Sequence, residues 1–344
     1  MMNKTDFIVP ENWQKIQTIE MHTGGEPLRI IVAGLPEIKG DSVLECRRYF
    51  RDNFDHIRTG LMWEPRGHAD MYGAILTRGF SEGADFGTFF LHNEGYSTMC
   101  GHAIIALTKF AVETGMVTPQ RAQQGIIIDA PPGVIKSGAI MENGYVKKTS
   151  FLNVPSFLYL QNESVIVPGL GRIHFDIAFG GAFYAFVDAD AIGLKMDGTN
   201  YNRLIEYGRS IKHTVMEKFE IRHPFEEDLS FLYGTIFTGK PFDKRNHSRN
   251  VCVFANGEVD RSATGSGVSA RAALHYAKGE LATGELITVE SILGTTMTVK
   301  VHETTTFGPY QAVVPEVSGT AHFCGKNEFL FDPDDPLNKG FFFR

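Results

Sequence analysis

The run Thr98-Met99-Cys100-Gly101-His102 puts a thiol, a residue without a side chain and an imidazole at the head of the apolar stretch Ile104 to Ala111. A thiol at a helix N-terminus faces the positive end of the dipole and several unpaired amides, which favour the thiolate. Cys100 is therefore read as a base for a carbon-bound proton. Gly101 leaves backbone N–H groups open to a ligand, and such groups bind carboxylate. His102 has two readings, a donor to a ligand oxygen and a cap of its own helix; it is kept as a binding residue. Asp260 stands four positions before Thr264, and Thr264-Gly265-Ser266-Gly267 opens a second apolar stretch, Val268 to Ala277. A carboxylate there holds a substrate ammonium, or else caps the helix and pairs with Arg261. The first role is preferred.

The elements that would position these residues occur twice. Glu20 precedes the pair Gly24-Gly25 by four positions, as Asp176 precedes Gly180-Gly181, and an apolar run follows each pair. Each of the two apolar stretches ends at a glycine, Gly115 and Gly279, fifteen positions after Cys100 and Thr264 respectively, where a helix C-cap glycine belongs. Both second members follow their first members at nearly the same interval, as a duplication with small insertions would leave. Strand-like runs at 87–92 and 250–255 lead into the helices, and further β runs at 125–129 and 286–290 follow them. The expected fold is α/β (α+β), with two pseudo-symmetric halves, each a β-rich layer around one central helix. Helices apolar on all sides are buried, so both should sit inside their halves with N-termini directed at a common place. The halves are placed at 1–155 and 156–324, with a tail of about 325–344 that returns to the first half.

Bulk properties narrow the partner. A chain of 344 residues with a net charge of −7 and no long Lys/Arg run is unsuited to nucleic acid or an anionic membrane as its main partner. A small molecule is expected. Met1 to Pro10 lacks a secretory apolar core, and no apolar stretch approaches the ~20 residues of a membrane helix, so a soluble, cytoplasmic protein is expected. A homodimer is compatible with this reading. Of the four cysteines, Cys46, Cys252 and Cys324 are read as inert core thiols; no C-x-x-C spacing suggests zinc or redox chemistry. His-x-x-x-His, Gly-x-Ser-x-Gly and P-loop motifs are absent, so no metal or cofactor is expected. The 27 phenylalanines are read as core material.

Met21-His-Thr-Gly-Gly-Glu-Pro-Leu-Arg29, Glu64-Pro-Arg-Gly-His-Ala-Asp-Met71, Met99-Cys-Gly-His102 and Asp260-Arg-Ser-Ala-Thr-Gly-Ser-Gly267 together resemble the proline racemase family, which includes 4-hydroxyproline epimerases and trans-3-hydroxy-L-proline dehydratases. The resemblance implies two halves of the diaminopimelate-epimerase type, with substrate held between two helix starts. Racemases of the family set a cysteine on each face of the substrate; here the second position is Thr264, whose hydroxyl is a poor acid or base at neutral pH. That departure is similar to the dehydratase branch. The resemblance implies Cys100 and Thr264 as the catalytic pair, with Gly101, His102, Asp260, Gly265 and Ser266 holding carboxylate and ring nitrogen. It also implies a one-face elimination from trans-3-hydroxy-L-proline, in which Cys100 takes the α-proton and its thiol, or a nearby water, protonates the leaving hydroxyl. Two alternatives stay open: a racemase or 4-hydroxyproline epimerase using Thr264 as a weak acid, and an inactive amino-acid-binding protein.

Overall fold

The structure, a computed structural model, describes residues 7–343. The opening Met1 to Asp6, part of the segment read above as lacking a secretory core, lies outside them.

The first half runs β1 (Gln14–Thr23), β2 (Glu26–Ala33), α1 (Val43–Met62), β3 (Tyr72–Thr77), β4 (Phe86–His92), β5 (Gly95–Ser97), α2 (Gly101–Glu113), α3 (Pro119–Gln124), β6 (Ile126–Ala130), β7 (Gly133–Glu142) and β8 (Tyr145–Leu152). The second runs β9 (Phe157–Val167), β10 (Gly171–Phe179), β11 (Phe183–Asp188), α4 (Tyr201–Lys218), β12 (Leu232–Gly239), β13 (Ser248–Phe254), β14 (Glu258–Val259), α5 (Gly265–Ala277), β15 (Leu286–Glu290), β16 (Thr296–Phe307) and β17 (Tyr310–Gly319), and β18 (Ala321–Phe331) closes the chain.

The two pairing schemes match. Hairpin β1–β2 corresponds to β10–β11, and each hairpin passes through a helix to a parallel neighbour, β2 to β3 and β11 to β12. Strands β4 and β13 each lie antiparallel to the preceding strand and parallel to the strand after the central helix, β6 and β15. A parallel pair needs such a crossover, and α2 and α5 supply it. Strand β9 runs antiparallel on β10, and β18 occupies the corresponding place on β1. The halves join where β8 pairs with β17.

Both glycine pairs of the duplicated pattern sit at the hairpin turns, where Gly24, Gly25 and Gly181 have positive φ. Gly115 and Gly279 terminate α2 and α5 with φ of 76° and 72°, a conformation that glycine adopts without the steric penalty of a Cβ. Helix α2 is buried on nearly every side against β1, β7 and β8, and α5 against β9, β10, β16 and β17. Each fully buried side chain such as Ile104, Ile105 or Leu107 contributes ~1.5–3 kcal/mol, which fixes the helix axis inside its half.

Two features extend the expected fold. Each half carries a second helix, α1 or α4, packed on the outer face of the sheet, and a short strand, β5 or β14, between the long strand and the central helix. The sequence reading placed one helix per half because α1 and α4 are amphipathic rather than apolar throughout. Among the described residues no helix is long and apolar enough to cross a membrane.

Candidate active site

Helices α2 and α5 meet at their first residues. A Cβ built on Gly101 would lie 2.5 Å from the Gly265 Cα, and one on Gly265 would lie 2.5 Å from the Gly101 Cα. Gly101 was read as an opening for a ligand; its tighter constraint is the approach of the other helix. Beside this contact lies about 270 Å³ of empty space, lined by Tyr72, Met99, Cys100, Gly101, His102, Tyr184, Tyr233, Cys252, Phe254, Asp260, Thr264, Gly265 and Ser266. Cys100, Thr264, Gly101, His102, Asp260, Gly265 and Ser266, all singled out from sequence, are thereby brought together. Cys100 is 4% exposed and Thr264 5%, so both side chains are withdrawn from bulk water.

Cys100 is the N-cap of α2, and its Sγ accepts the Ala103 N–H at 3.3 Å. The His102 ring lies against the same sulfur, with Nδ1 3.0 Å from Sγ. Burial lowers the His102 imidazole pKa against the opposing effects of the Asp260 charge and the Pro27 backbone, so the ring is neutral. With its one N–H on Nε2, Nδ1 is free to accept from the thiol. Burial pushes the Cys100 thiol well above its usual pKa; the Ala103 N–H and the Tyr72 hydroxyl act in the opposite direction, and the charges of Asp260 and Glu26 reinforce the rise. The expected lowering by the helix start is therefore corrected. Its hydrogen bond is present, but desolvation by the elements packed around the sulfur outweighs it.

Thr264 precedes α5 with φ 66° and ψ 94°, and its side chain caps nothing. A β-branched residue in that region costs roughly 1–3 kcal/mol, a strain characteristic of functional sites. Its N–H donates to Ser262 Oγ at 3.1 Å, while Oγ1 is buried with no hydrogen-bond partner of normal geometry, beside the Cys252 thiol, whose pKa burial and the Asp260 charge push well above the usual value against the opposing effect of the Thr264 hydroxyl. Ser266 Oγ bonds Tyr184 Oη at 2.7 Å. Asp260 Oδ1 accepts the Ser262 N–H at 2.7 Å. Arg261, the partner Asp260 would have in a purely structural role, forms its ion pair with Asp70 instead.

Several residues around the site were not legible in sequence. Tyr72 and Tyr233 stand at the starts of β3 and β12, Phe254 and Cys252 on β13, and Tyr184 on β11. Cys252, read as core packing, lines the cavity, and Cys324, read the same way, is exposed on β18. Glu26 lies inside a quoted motif and is fully buried; Oε2 accepts the Arg261 N–H at 2.7 Å and Oε1 has no partner. Burial, then the charge of Asp260, holds its carboxyl well above the usual range. Only its sequence neighbourhood signalled it.

Residues 18–342 match the family described as proline racemase. A protein from Colwellia psychrerythraea (strain 34H) named trans-3-hydroxy-L-proline dehydratase is 50% identical over 337 residues, covering 98% of this chain and 95% of its own. One from Burkholderia multivorans named 3-hydroxyproline 2-epimerase is 43% identical over 331 residues, covering 96% of this chain and 99% of its own. Among solved structures, a hydroxyproline epimerase from Agrobacterium vitis with bound trans-4-OH-L-proline matches with a TM-score of 0.91 at 28% identity, covering 97% of this chain and 96% of that one.

Proposed function

Since the chain belongs to the proline racemase family, we propose that it dehydrates trans-3-hydroxy-L-proline, with Cys100 as the base that removes the α-proton. The observation that carries this reading is the pairing of one thiol with one hydroxyl: Cys100 heads α2, and Thr264 stands at the corresponding place before α5. Two-base inversion needs an ionisable group on each face of Cα, and a threonine hydroxyl does not ionise near neutral pH. Elimination needs only one face, because the 3-hydroxyl of the trans isomer lies on the same side of the ring as the α-hydrogen. The dehydratase names of relatives, including the one 50% identical, support the same reaction.

The free amides at the starts of α2 and α5 hold the substrate carboxylate and stabilise the charge that develops on it as the proton leaves. Asp260 receives the ring ammonium. That ammonium also cancels one of the charges that raise the Cys100 pKa, so substrate promotes ionisation of its own base, whose sulfur lies 3.0 Å from His102 Nδ1. Loss of the α-proton to sulfur and of the 3-hydroxyl as water leaves an enamine, which tautomerises to Δ1-pyrroline-2-carboxylate.

Incubation with trans-3-hydroxy-L-proline should yield a pyrroline detectable by trapping or reduction. Cys100→Ser should fold yet lose nearly all of it, since serine supplies no anion at neutral pH. Substantial residual turnover in that variant rules out Cys100 as the base. One observation favours a second reading, epimerisation at Cα: the Cys252 thiol lines the cavity beside Thr264 and places sulfur near the second face. Deuterium entering recovered substrate with inversion, unaccompanied by pyrroline, would establish it.

A further inference from the structure

Elimination differs from racemisation in one requirement. Hydroxide is a poor leaving group near neutral pH, so the C3–O bond breaks readily only when its oxygen receives a proton. The donor must stand on the face of the ring that Cys100 occupies, because the leaving hydroxyl shares that face with the α-hydrogen.

The cavity contains three tyrosine hydroxyls. Tyr184 Oη is bonded to Ser266 Oγ at 2.7 Å at the start of α5. The Tyr72 hydroxyl lies near both the Cys100 sulfur, whose ionisation it favours, and the Ser97 hydroxyl. Tyr233 Oη is buried and has no hydrogen-bond partner of normal geometry. The Tyr233 ring stacks on Phe254 at 5.4 Å, and Phe254 in turn meets Tyr72 edge-on at 6.2 Å. Tyr72 in turn meets the His102 ring edge-on at 4.8 Å, and that ring lies against the Cys100 sulfur, so the aromatic contacts lead from Tyr233 to the Cys100 side of the cavity; the nearby Ser97 and Tyr72 hydroxyls favour the Tyr233 phenolate. Burial holds its pKa well above that of free tyrosine, so it is present as the neutral donor. A buried hydroxyl that lines a substrate cavity and has only loosely placed neighbours can turn to a ligand oxygen.

We propose that Tyr233 is the general acid of the elimination, a role that rests on the dehydratase reading. Its hydroxyl bonds the substrate 3-hydroxyl and transfers its proton as the C3–O bond breaks. The balance is complete. The α-proton goes to the Cys100 thiolate, the C–H electron pair becomes the π bond of the C2=C3 double bond, and the C3–O pair leaves with oxygen. The Tyr233 proton converts that oxygen to water, and the resulting phenolate recovers a proton from the Cys100 thiol through the Tyr72 hydroxyl. Both groups return to their starting state.

Tyr233→Phe keeps the ring on Phe254 and deletes only the donor. Pyrroline formation from trans-3-hydroxy-L-proline should fall about 100-fold or more, the contribution typical of a positioned acid. Exchange of the substrate α-hydrogen with solvent deuterium should persist, since Cys100 is untouched. Leaving-group rescue separates a proton donor from a structural support: fluoride departs without protonation, so the variant should eliminate from trans-3-fluoro-L-proline at close to the wild-type rate. This comparison of two substrates within one preparation does not depend on the fraction folded. Undiminished pyrroline formation overturns the proposal, as does an equal loss of exchange, hydroxyl elimination and fluoride elimination. Failure of wild type to form pyrroline at all would instead overturn the dehydratase reading, before any variant is made.

Discussion

At the scale of single residues, the site is a thiol made reluctant to ionise by the environment that closes around it. Burial, Asp260 and Glu26 raise the Cys100 pKa, and a bound ring ammonium offsets the Asp260 contribution. The pH profile should show this directly. For the free enzyme, kcat/KM rises with pH as the thiol loses its proton, with a midpoint above the ~8.5 of an ordinary thiol. For the complex, the kcat midpoint should lie lower, and coincident midpoints would mean that substrate does not assist ionisation. On the proposed dehydratase reading, Thr264 carries the choice between reactions. Thr264→Cys supplies a second thiol at a helix start, so some racemisation of proline or epimerisation of 4-hydroxyproline should appear. Thr264→Ala should retain measurable dehydration, because the reacting bonds lie on the Cys100 face; abolished dehydration with intact substrate affinity would make Thr264 a proton donor or a water-positioning group.

At the scale of elements, the decisive contact is the meeting of α2 and α5 at Gly101 and Gly265. Two central helices can direct their free amides at one carboxylate only if their first turns approach to backbone distance, and any Cβ prevents it. Gly265→Ala should therefore force the helix starts apart, with an overpacking penalty of ~1–3 kcal/mol. Turnover should suffer far more than stability, since a misplacement of about 1 Å costs roughly 100-fold in a preorganised site. Melting temperature and kcat/KM measured on the same sample test this, and a variant with near-normal turnover would show that the close approach is unnecessary. The strained backbone of Thr264 belongs at this scale too, because the turn into α5 holds its hydroxyl at the cavity instead of using it as a cap.

At the scale of the whole molecule, two copies of one topology are joined along β8 and β17. We propose that they are also the units that move, 1–155 with the returning C-terminal segment against 156–324. On this proposal a relative movement of the halves uncovers Cys100, which is only 4% exposed. Iodoacetamide should accordingly label exposed Cys324 first without loss of activity, and label Cys100 slowly with inactivation. A carboxylate-bearing proline analogue should slow only the second event. Mass spectrometry of the alkylated sites checks the order, and inactivation that tracks Cys46, Cys252 or Cys324 would contradict it.

Local signals made much of this legible from the chain alone. The glycine pairs, the apolar helices and their terminal glycines each mark a backbone conformation or a buried face within a few residues, and their repetition exposed the two halves and both helix starts. Cys100, Thr264 and Asp260 were readable because they flank those starts. The tertiary structure decided what depends on chain segments far apart. Tyr72, Tyr184, Tyr233, Cys252 and Phe254 reach the cavity from four different strands, and nothing in their neighbours distinguishes a cavity wall from ordinary core. It also reversed the ionisation expected for Cys100. A helix dipole is a local property that can be read from position, whereas desolvation depends on every element that packs around the sulfur, and here the second effect is the larger.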